Sequence, residues 1–525
     1  MLLAVVVSRF VARLTRLPAP LVQMALGVAI FYSSLTSVAL DPQVFFVLLL
    51  PPLLFLDGWR IPNDALLRDA QPILTLAFGL VVFTVLGVGL LVHWLIPALP
   101  LPVAFALAAV VSPTDPVVVS SIAGRAPMPA RMKHILQGEA LFNDASGLVC
   151  MRFAVAAVLT GSFALSSALA NFVWVALGGL AVGTAVTWLV TRAKPRSTVL
   201  LGDDGGAQIL LTLLIPSGVY LIAEALQCSG ILAAVAAGIT MSFAPHSHWQ
   251  PITRIRRTAV WEMVQFAANG SIFVLVGEQI PSILSSASQT VRLTGQHNPW
   301  WLGGYVVVIV VALALLRFVW VWASLKVTFS SLRSRTGASH WRLVTALSLA
   351  GVRGAVTLAG VLTLPLVMGN GAPFPGRDLA IFLATGVMLL SLVLATVALP
   401  GMLRGLELPS DPTYHADENR VRAAAAQAAI RAITSAPHAG TGADAADASA
   451  RIVELYRQRI DRYTGDNGAS VLPGGVDSIE RQLRLVGLRA EREEILRSAS
   501  SKAIKEVAQS KLLREVDLQE ARYTS

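Results

Sequence analysis

Runs of apolar residues separated by short polar stretches follow one another along residues 1–403. About thirteen of these runs are predicted helices, and several reach the roughly 20 residues that a helix needs to cross a bilayer. The predicted segments are about 1–13, 20–38, 43–58, 72–93, 102–122, 134–159, 167–191, 207–225, 229–244, 259–280, 300–326, 342–366 and 378–403. The pattern predicts an all-α membrane protein.

Composition agrees with this pattern and divides the chain in two. Of the 525 residues, 55% are hydrophobic and 14% are charged, whereas a soluble domain carries about 25% charged residues. Residues from about 404 onward are polar instead. We therefore predict a transmembrane domain over residues 1–403 and an appended tail over residues 404–525.

The net charge of +10 lies in short loops and not in the tail, which has as many acidic as basic residues. Lys and Arg cluster in alternate loops, as cytoplasmic loops of membrane proteins do. The basic loops hold Arg13, Arg16, Arg60, Arg68, Arg125, Arg131, Lys133, Arg192, Lys194, Arg196, Arg254, Arg256, Arg257, Lys326, Arg333, Arg335 and Arg342. These loops and the tail are predicted to be cytoplasmic at the cell membrane. The neutral tail argues against nucleic-acid binding, which needs a positive field.

The tail contains two kinds of sequence. An Ala-, Gly- and Asp-rich stretch from Ala436 to Ala450 is typical of a linker. The run from Ser478 to Arg522 is rich in Glu, Arg, Lys and Leu and is predicted to be helical. We expect a solvated helical tail that has a regulatory role or contacts a second copy of the chain.

Four ionisable residues within the apolar segments are candidates for function, because such groups are costly inside a membrane. Asp115, Asp144 and Arg353 each lie ten or eleven residues from the predicted cytoplasmic end of their segment. At about 1.5 Å per residue this is roughly 15–17 Å, near the middle of an apolar layer about 30 Å thick. Glu139 lies about 7.5 Å closer to the cytoplasm. The sequence leaves two roles open for Glu139: an ion pair with Arg353, or direct contact with a transported ion.

Two predicted helices are interrupted at this same depth. Pro113 and Pro116 remove backbone donors from the fifth segment, and Gly351 and Gly354 weaken the twelfth. Carbonyl groups freed in this way need partners in lipid, and a coordinated cation can supply one. Paired interruptions in two inverted repeats, here predicted as unwound and crossed helices five and twelve, are typical of a transporter's central site.

The residue types at these interruptions favour exchange of a cation for a proton. Asp144, Asp115, Thr114 and the freed carbonyls offer the oxygen ligands that a hard cation such as Na⁺ prefers. A carboxylate away from water also binds a proton readily. Because Asp144 cannot hold both, the two ions compete. Opening of the site to one side of the membrane at a time then couples their transport.

Five motifs occur in order along residues 1–403. They are Pro51-Pro52-Leu53-Leu54-Phe55, Thr114-Asp115-Pro116, Gly138-Glu139-Ala140-Leu141-Phe142-Asn143-Asp144, Asn269-Gly270 and Gly351-Val352-Arg353-Gly354-Ala355. Together they resemble the motifs of the monovalent cation:proton antiporters, which include the bacterial and archaeal NhaP type and the animal sodium/proton exchangers. The motifs on the sixth and twelfth segments are the most specific.

The resemblance implies a homodimer in which a core domain moves like an elevator. It implies that Asp144 carries both the proton and the cation, which is Na⁺, Li⁺ or K⁺, and that Asp115 and Thr114 are further ligands. Asn143 resembles the asparagine of electroneutral members, which implies one-for-one exchange. Glu139 and Arg353 resemble a structural ion pair.

The sequence departs from the family pattern at Ala140, where many relatives have a serine whose hydroxyl resembles a cation ligand. The choice between Na⁺ and K⁺ is therefore open, and a K⁺/H⁺ antiporter of the same fold is an alternative. Three of the other ionisable residues are left with open roles. Asp57 is expected at the membrane interface or in an access funnel, and Arg152 and Arg317 are expected to pair with carboxylates or carbonyls that the sequence does not identify.

Two other classes of function are less well supported. A channel or an organic-solute carrier is not favoured, because the segments contain no selectivity-filter repeat and few polar groups. An intramembrane aspartyl protease would also use two membrane aspartates, but the residues flanking Asp115 and Asp144 do not match that class. We expect a transporter that is not an enzyme and needs no cofactor.

Overall fold

The fold is that of a computed structural model. It describes residues 1–15, 17–33, 45–61, 67, 69–115, 130–160, 165–201, 204–243, 251–286, 291, 298, 300–328, 340–368, 371–403, 412–435 and 443–464, with single positions or short runs between 485 and 520. These residues belong to two compact units, Met1–Leu408 and Pro409–Ser525.

The first unit is helical, and its described residues contain no β-strand beyond an isolated bridge. Its helices are α1 (Leu2–Thr15), α2 (Ala19–Ser33), α3 (Leu50–Arg60), α4 (Ala70–Leu95), α5 (Leu101–Val111), α6 (Ala130–Thr160), α7 (Leu165–Leu201), α8 (Gly205–Ala225), α9 (Gly230–Ser242), α10 (Pro251–Ser285), α11 (Trp300–Thr328), α12 (His340–Leu349), α13 (Ala355–Leu362) and α14 (Arg377–Leu403). Wider π-helical turns precede α3 at Phe45–Leu49 and interrupt α4 at Thr75–Leu80.

Seven helices in the described part of the chain are long and apolar enough to cross a membrane: α4, α6, α7, α8, α10, α11 and α14. Helices α2, α5 and α9 are also apolar but shorter. The largest departures from the predicted segments lie at the fifth and twelfth. Helix α5 ends at Val111, and two helices, α12 and α13, replace the single twelfth segment.

One group of helices, which we call the α6 group, consists of α4, α5, α6, α11, α12, α13 and α14. Helix α5 lies against α4 and α6, and α11 contacts α4, α12 and α14. The residues from Val103 to Val111 of α5 are almost all fully buried, and four of them are alanines. Small side chains let the neighbouring helices approach closely, so α5 forms the centre of this group.

The second group, called the α9 group, consists of α1, α2, α3, α7, α8, α9 and α10. Helix α10 crosses α2, and α9 crosses α3, with backbones in contact. A Cβ at Gly277 would lie 2.1 Å from the Met24 carbonyl oxygen, and one at Gly238 would lie 2.1 Å from the Phe55 carbonyl oxygen. Only glycine permits these two crossings. The two groups meet where α6 contacts α3 and α9, and where α14 contacts α10.

The second unit contains α15 (Pro412–Ser435) and α16 (Ala443–Thr464), which pack against each other. Ala423 and Ala426 of α15 and Val453 of α16 are buried. The predicted linker is wrong from residue 443 onward, because α16 begins there. Alanine is the strongest helix former, and it outweighs the glycine-rich start of this stretch. Residues 436–442 and most of the predicted helix Ser478–Arg522 lie outside the described residues.

Candidate functional site

The chain leaves helical geometry in the fifth predicted segment, where the prolines predicted a break. Helix α5 ends at Val111, and Ser112 to Asp115 follow without helical structure. Pro113 lies in this stretch, where its ring and missing N–H group oppose a helix. Pro116 lies outside the described residues. Thr114 is buried and Asp115 is half-buried.

The second break separates α12 from α13 and includes Gly351 to Gly354. The two breaks touch, because the Asp115 N–H donates to the Val352 carbonyl at 2.7 Å. A Cβ on Gly354 would lie 2.1 Å from Asp115 Oδ2, so the carboxylate packs directly against this glycine. The structure therefore brings together the two interruptions that the sequence places at one depth.

Thr114 connects the first break to α6. Its hydroxyl donates to Glu139 Oε1 at 3.2 Å and accepts from Asn143 Nδ2 at 2.9 Å. A carboxylate only accepts, so the Thr114 proton is used for Glu139 and the amide N–H of Asn143 must face Thr114. Asn143 Oδ1 then points away from Thr114. It is buried and has no hydrogen-bond partner among the described residues.

Glu139 pairs with Arg317 of α11, so the predicted ion pair with Arg353 is wrong. Both Glu139 oxygens accept from the guanidinium, at 2.5 and 2.7 Å, and the two side chains are 1% and 3% exposed. Arg317 Nε also donates to the Leu347 carbonyl of α12 at 3.1 Å. Position along a helix gives depth but not the direction of a side chain. Two N–H groups of the Arg317 guanidinium donate to the two Glu139 oxygens, and this bidentate arrangement is the strongest for such a pair.

Arg353 instead binds the broken helix ends. Its Nε donates to the carbonyl of Val111, the last residue of α5, at 2.8 Å, and its Nη1 donates to the Gly351 carbonyl. Its backbone N–H donates to Ser391 Oγ of α14 at 3.2 Å. Carbonyls at the end of a helix lack N–H partners and carry partial negative charge. Arg353 supplies these carbonyls at the two breaks with N–H donors and with a positive charge.

Asp144 lies near two other acidic side chains, Asp115 and Asp57, and we call these three residues the carboxylate cluster. Asp57 and Asp144 each lie close enough to Asp115, and to each other, for their charges to interact. All three are half-buried. Asp57 belongs to α3 of the α9 group, whereas Asp144 belongs to α6. The carboxylate cluster therefore lies at the junction between the two groups.

A family model described as "Sodium/hydrogen exchanger, transmembrane" matches residues 1–405 of the chain. The chain belongs to the sodium/hydrogen exchanger family. It is thus a multi-pass membrane protein from a family of cation/proton antiporters, as the motif resemblance predicted.

Relatives of this exchanger-family chain match it over most of its length. It is 39% identical over 538 aligned residues to the uncharacterized Na⁺/H⁺ exchanger YjcE of Escherichia coli (strain K12), covering 99% of this chain and 97% of that one. It is 37% identical over 495 aligned residues to a sodium, potassium, lithium and rubidium/H⁺ antiporter of Bacillus pumilus. This alignment covers 93% of this chain and 71% of the relative. Its fold is similar to that of the sodium proton antiporter MjNhaP1 from Methanocaldococcus jannaschii, with a TM-score of 0.59 and 19% identity over 77% of this chain and 97% of that one.

The sequence alone did not assign Asp57 and Arg317 to the site. Asp57 lies two residues after the Pro51–Phe55 motif, and that proximity is the signal that could have placed it at the site. Arg317 is an arginine inside an otherwise apolar helix, so a carboxylate or a backbone carbonyl was expected opposite it, and the structure shows both. The sequence contains no signal that identifies this carboxylate as Glu139.

Proposed function

We propose that this chain exchanges a monovalent cation for a proton across the membrane, and that the two ions compete for Asp144. The carboxylate cluster is the observation that supports this proposal. Three half-buried acidic side chains lie within interacting distance of one another beside a broken helix. Like charges held away from water favour binding of a counter-ion or a proton.

The proposed Na⁺ ligands are Asp144, Asp115 and Thr114. Thr114 contributes a buried hydroxyl and a backbone carbonyl next to the break. Asn143 Oδ1 is a further candidate, since it is a buried acceptor with no donor in the described part of the chain. All of these are oxygen ligands, which suit a hard cation.

Competition at the carboxylate cluster couples the two fluxes. A proton on Asp144 removes the charge that attracts the cation, and a bound cation removes the charge that attracts the proton. An empty, fully ionised cluster is unfavourable because Asp57, Asp115 and Asp144 repel one another. The site therefore changes the side to which it opens with one of the two ions bound, and uncoupled leak is suppressed.

The fixed charges around the carboxylate cluster have a structural role in this proposal. Glu139 is neutralised by Arg317 and also accepts from Thr114, so its oxygens are occupied by protein donors. Arg353 is held by the carbonyls of the two breaks. These contacts keep Thr114 and Asn143 in place, and the transported charge is left to Asp144.

We propose a cation range that includes Na⁺, Li⁺ and K⁺. The Bacillus pumilus relative is named for sodium, potassium, lithium and rubidium. Ala140 is buried and offers no hydroxyl, so the site has one side-chain oxygen fewer with which to select the smaller ion. K⁺/H⁺ exchange at the same site is thus the main alternative.

The remaining features of the proposal follow from the family resemblance. Exchange is one-for-one because Asn143 is neutral. The α6 group carries the ion past the α9 group in an elevator-like movement, since the carboxylate cluster lies at their junction. The chain works as a homodimer, with its tail in the cytoplasm.

Proteoliposomes that contain a pH dye test the exchange. Addition of Na⁺, Li⁺ or K⁺ outside should collapse an imposed pH gradient, and Asp144→Asn should abolish this response. Asp378→Asn is the matched control, because Asp378 lies at the start of α14 with its side chain 70% exposed. That variant should exchange at the parent rate. Exchange by Asp144→Asn at a rate close to that of the parent would contradict the proposal.

A further inference from the structure

A cavity of about 320 Å³ lies beside α6, beyond Asp144 on the side predicted to be external. Residues of α6 in its wall are Leu148, Met151, Arg152, Val155, Ala156 and Leu159. At about 100° per residue, all except Ala156 lie within roughly 80° of Asp144 around the helix. The face of α6 that carries Asp144 therefore continues as a wall of the cavity, beginning one turn past the carboxylate.

The rest of the wall comes from other helices at the junction. Tyr220 of α8 and Ile231 of α9 belong to the α9 group, and Thr363 and Pro365 follow α13 of the α6 group. The cavity thus lies between the two groups, as the carboxylate cluster does. Any movement of α6 along the α9 group would change its shape.

An ion pair crosses the junction at this cavity. Arg152 Nη2 of α6 lies 3.2 Å from Glu224 Oε1 and 3.3 Å from Glu224 Oε2, at the end of α8. Glu224 Oε1 also accepts from the N–H of Gly230, the first residue of α9, at 3.2 Å. Glu224 is therefore fixed within the α9 group, and Arg152 ties α6 to it. This also gives Arg152 the partner that the sequence could not identify.

The two ion pairs of α6 differ in a way that suits different roles. Glu139 and Arg317 are almost completely buried, and both belong to the α6 group. The side chains of Arg152 and Glu224 are 55% and 32% exposed, and they join different groups. Exposed ion pairs are weak, whereas separation of a buried pair is costly. The Arg152–Glu224 pair can therefore break in each transport cycle, and the Glu139–Arg317 pair cannot.

We propose that this cavity is the external vestibule through which a hydrated monovalent cation reaches the carboxylate cluster, and that the Arg152–Glu224 pair is the latch that closes it. The proposal rests on the exchange function proposed above. When the pair is formed, α6 is held against α8 and α9, and Leu148 and Met151 separate the cavity from Asp144. When the pair is broken, α6 is free to move, and Glu224 faces the incoming cation as an acidic group.

Thiol labelling tests the vestibule and the latch without the need for transport. The two cysteines of the chain, Cys150 and Cys228, are first replaced by alanine, and Val155→Cys is added as the reporter. A membrane-impermeant thiol reagent should label this cysteine from the external side. Arg152→Gln or Glu224→Gln should accelerate labelling several-fold, because the latch is lost. Glutamine at 224 still accepts from the Gly230 N–H, so the start of α9 keeps its contact.

Arg152→Lys is the matched control, since it keeps a charge that can pair with Glu224. Its labelling rate should stay near that of the parent. Labelling from the cytoplasmic side alone would overturn the vestibule, and equal rates in the parent and both glutamine variants would overturn the latch. If one glutamine variant does not reach the membrane, the other decides. Failure of the exchange itself is detected separately in the liposome assay.

Discussion

At the scale of single residues, the charged groups of the site fall into two sets. Glu139, Arg317 and Arg353 are buried and bind protein partners, either each other or backbone carbonyls. Asp57, Asp115 and Asp144 are half-buried, and their charges act on one another. We propose that the first set supports the structure of the site and that the second exchanges the ions.

The Arg317→Met variant tests the supporting role. It leaves the buried Glu139 carboxylate without its counter-charge, which should lower the free energy of unfolding by about 3–5 kcal/mol. Thermal unfolding in detergent measures this loss. Arg152→Met is the control, because it removes a half-exposed pair of the kind that contributes about 0–1 kcal/mol.

The double variant Glu139→Gln/Arg317→Met should recover much of the stability that Arg317→Met loses. Neither side chain then brings an unpaired charge into the interior. If Arg317→Met unfolds at the temperature of Arg152→Met, or if the double variant is less stable than Arg317→Met, the pair does not have the role described here.

The sequence predicts the depth of these residues better than their partners. Counting from helix ends placed Asp115, Asp144 and Arg353 at one level, and the structure brings Asp115 to the break beside Arg353. Arg353 was the wrong partner for Glu139. The actual partner, Arg317, lies 178 residues away in the sequence, and no local pattern shows which side of α11 faces Glu139. Contacts at such separation depend on how whole helices pack.

At the scale of elements, the site depends on two helices, α5 and α12, that each end at a break, and the two breaks touch. Proline at 113 and glycines at 351 and 354 are local signals, which is why both breaks could be predicted. The Asp115 N–H joins them by donating to Val352. The start of the tail helix α16 was missed because the glycines just before it favour a linker, although the alanines that follow favour a helix.

Gly354→Ala tests the contact between the breaks. The added Cβ would lie 2.1 Å from Asp115 Oδ2, so the carboxylate has to move. We expect exchange to fall roughly 10-fold or more, since displacement of a site group by about 1 Å has effects of this size. The measurement is the liposome pH assay at equal protein content.

Gly303→Ala provides the matched control, because a Cβ there meets nothing within 4 Å. It should exchange at the parent rate. Equal activity of Gly354→Ala and Gly303→Ala would show that the close packing of Asp115 on position 354 is unimportant.

At the scale of the whole molecule, the carboxylate cluster and the Arg152–Glu224 pair both lie at the junction between the α6 and α9 groups. In the elevator-like movement that we propose, the site and the latch respond to the same displacement of the α6 group. The sequence gives the helices that build these groups, but the division into groups follows from close crossings such as those at Gly238 and Gly277, which only the packed structure reveals.

One-for-one exchange predicts that the transport rate does not depend on membrane voltage. A cycle that moves a net charge would feel about 2.3 kcal/mol for each 100 mV, whereas a neutral cycle feels none. Na⁺-driven proton flux should therefore be the same at zero and at an inside-negative potential. A several-fold change in rate between the two potentials would rule out one-for-one exchange.

Proton release on cation binding is the most direct measurement of the competition at Asp144. Na⁺ is added to the detergent-solubilised protein in a weakly buffered solution with a pH indicator, and binding is followed by calorimetry. At a pH where Asp144 is protonated, we predict release of about one proton for each Na⁺ bound, and none from Asp144→Asn. Binding of Na⁺ without proton release, or undiminished release from Asp144→Asn, would contradict the account.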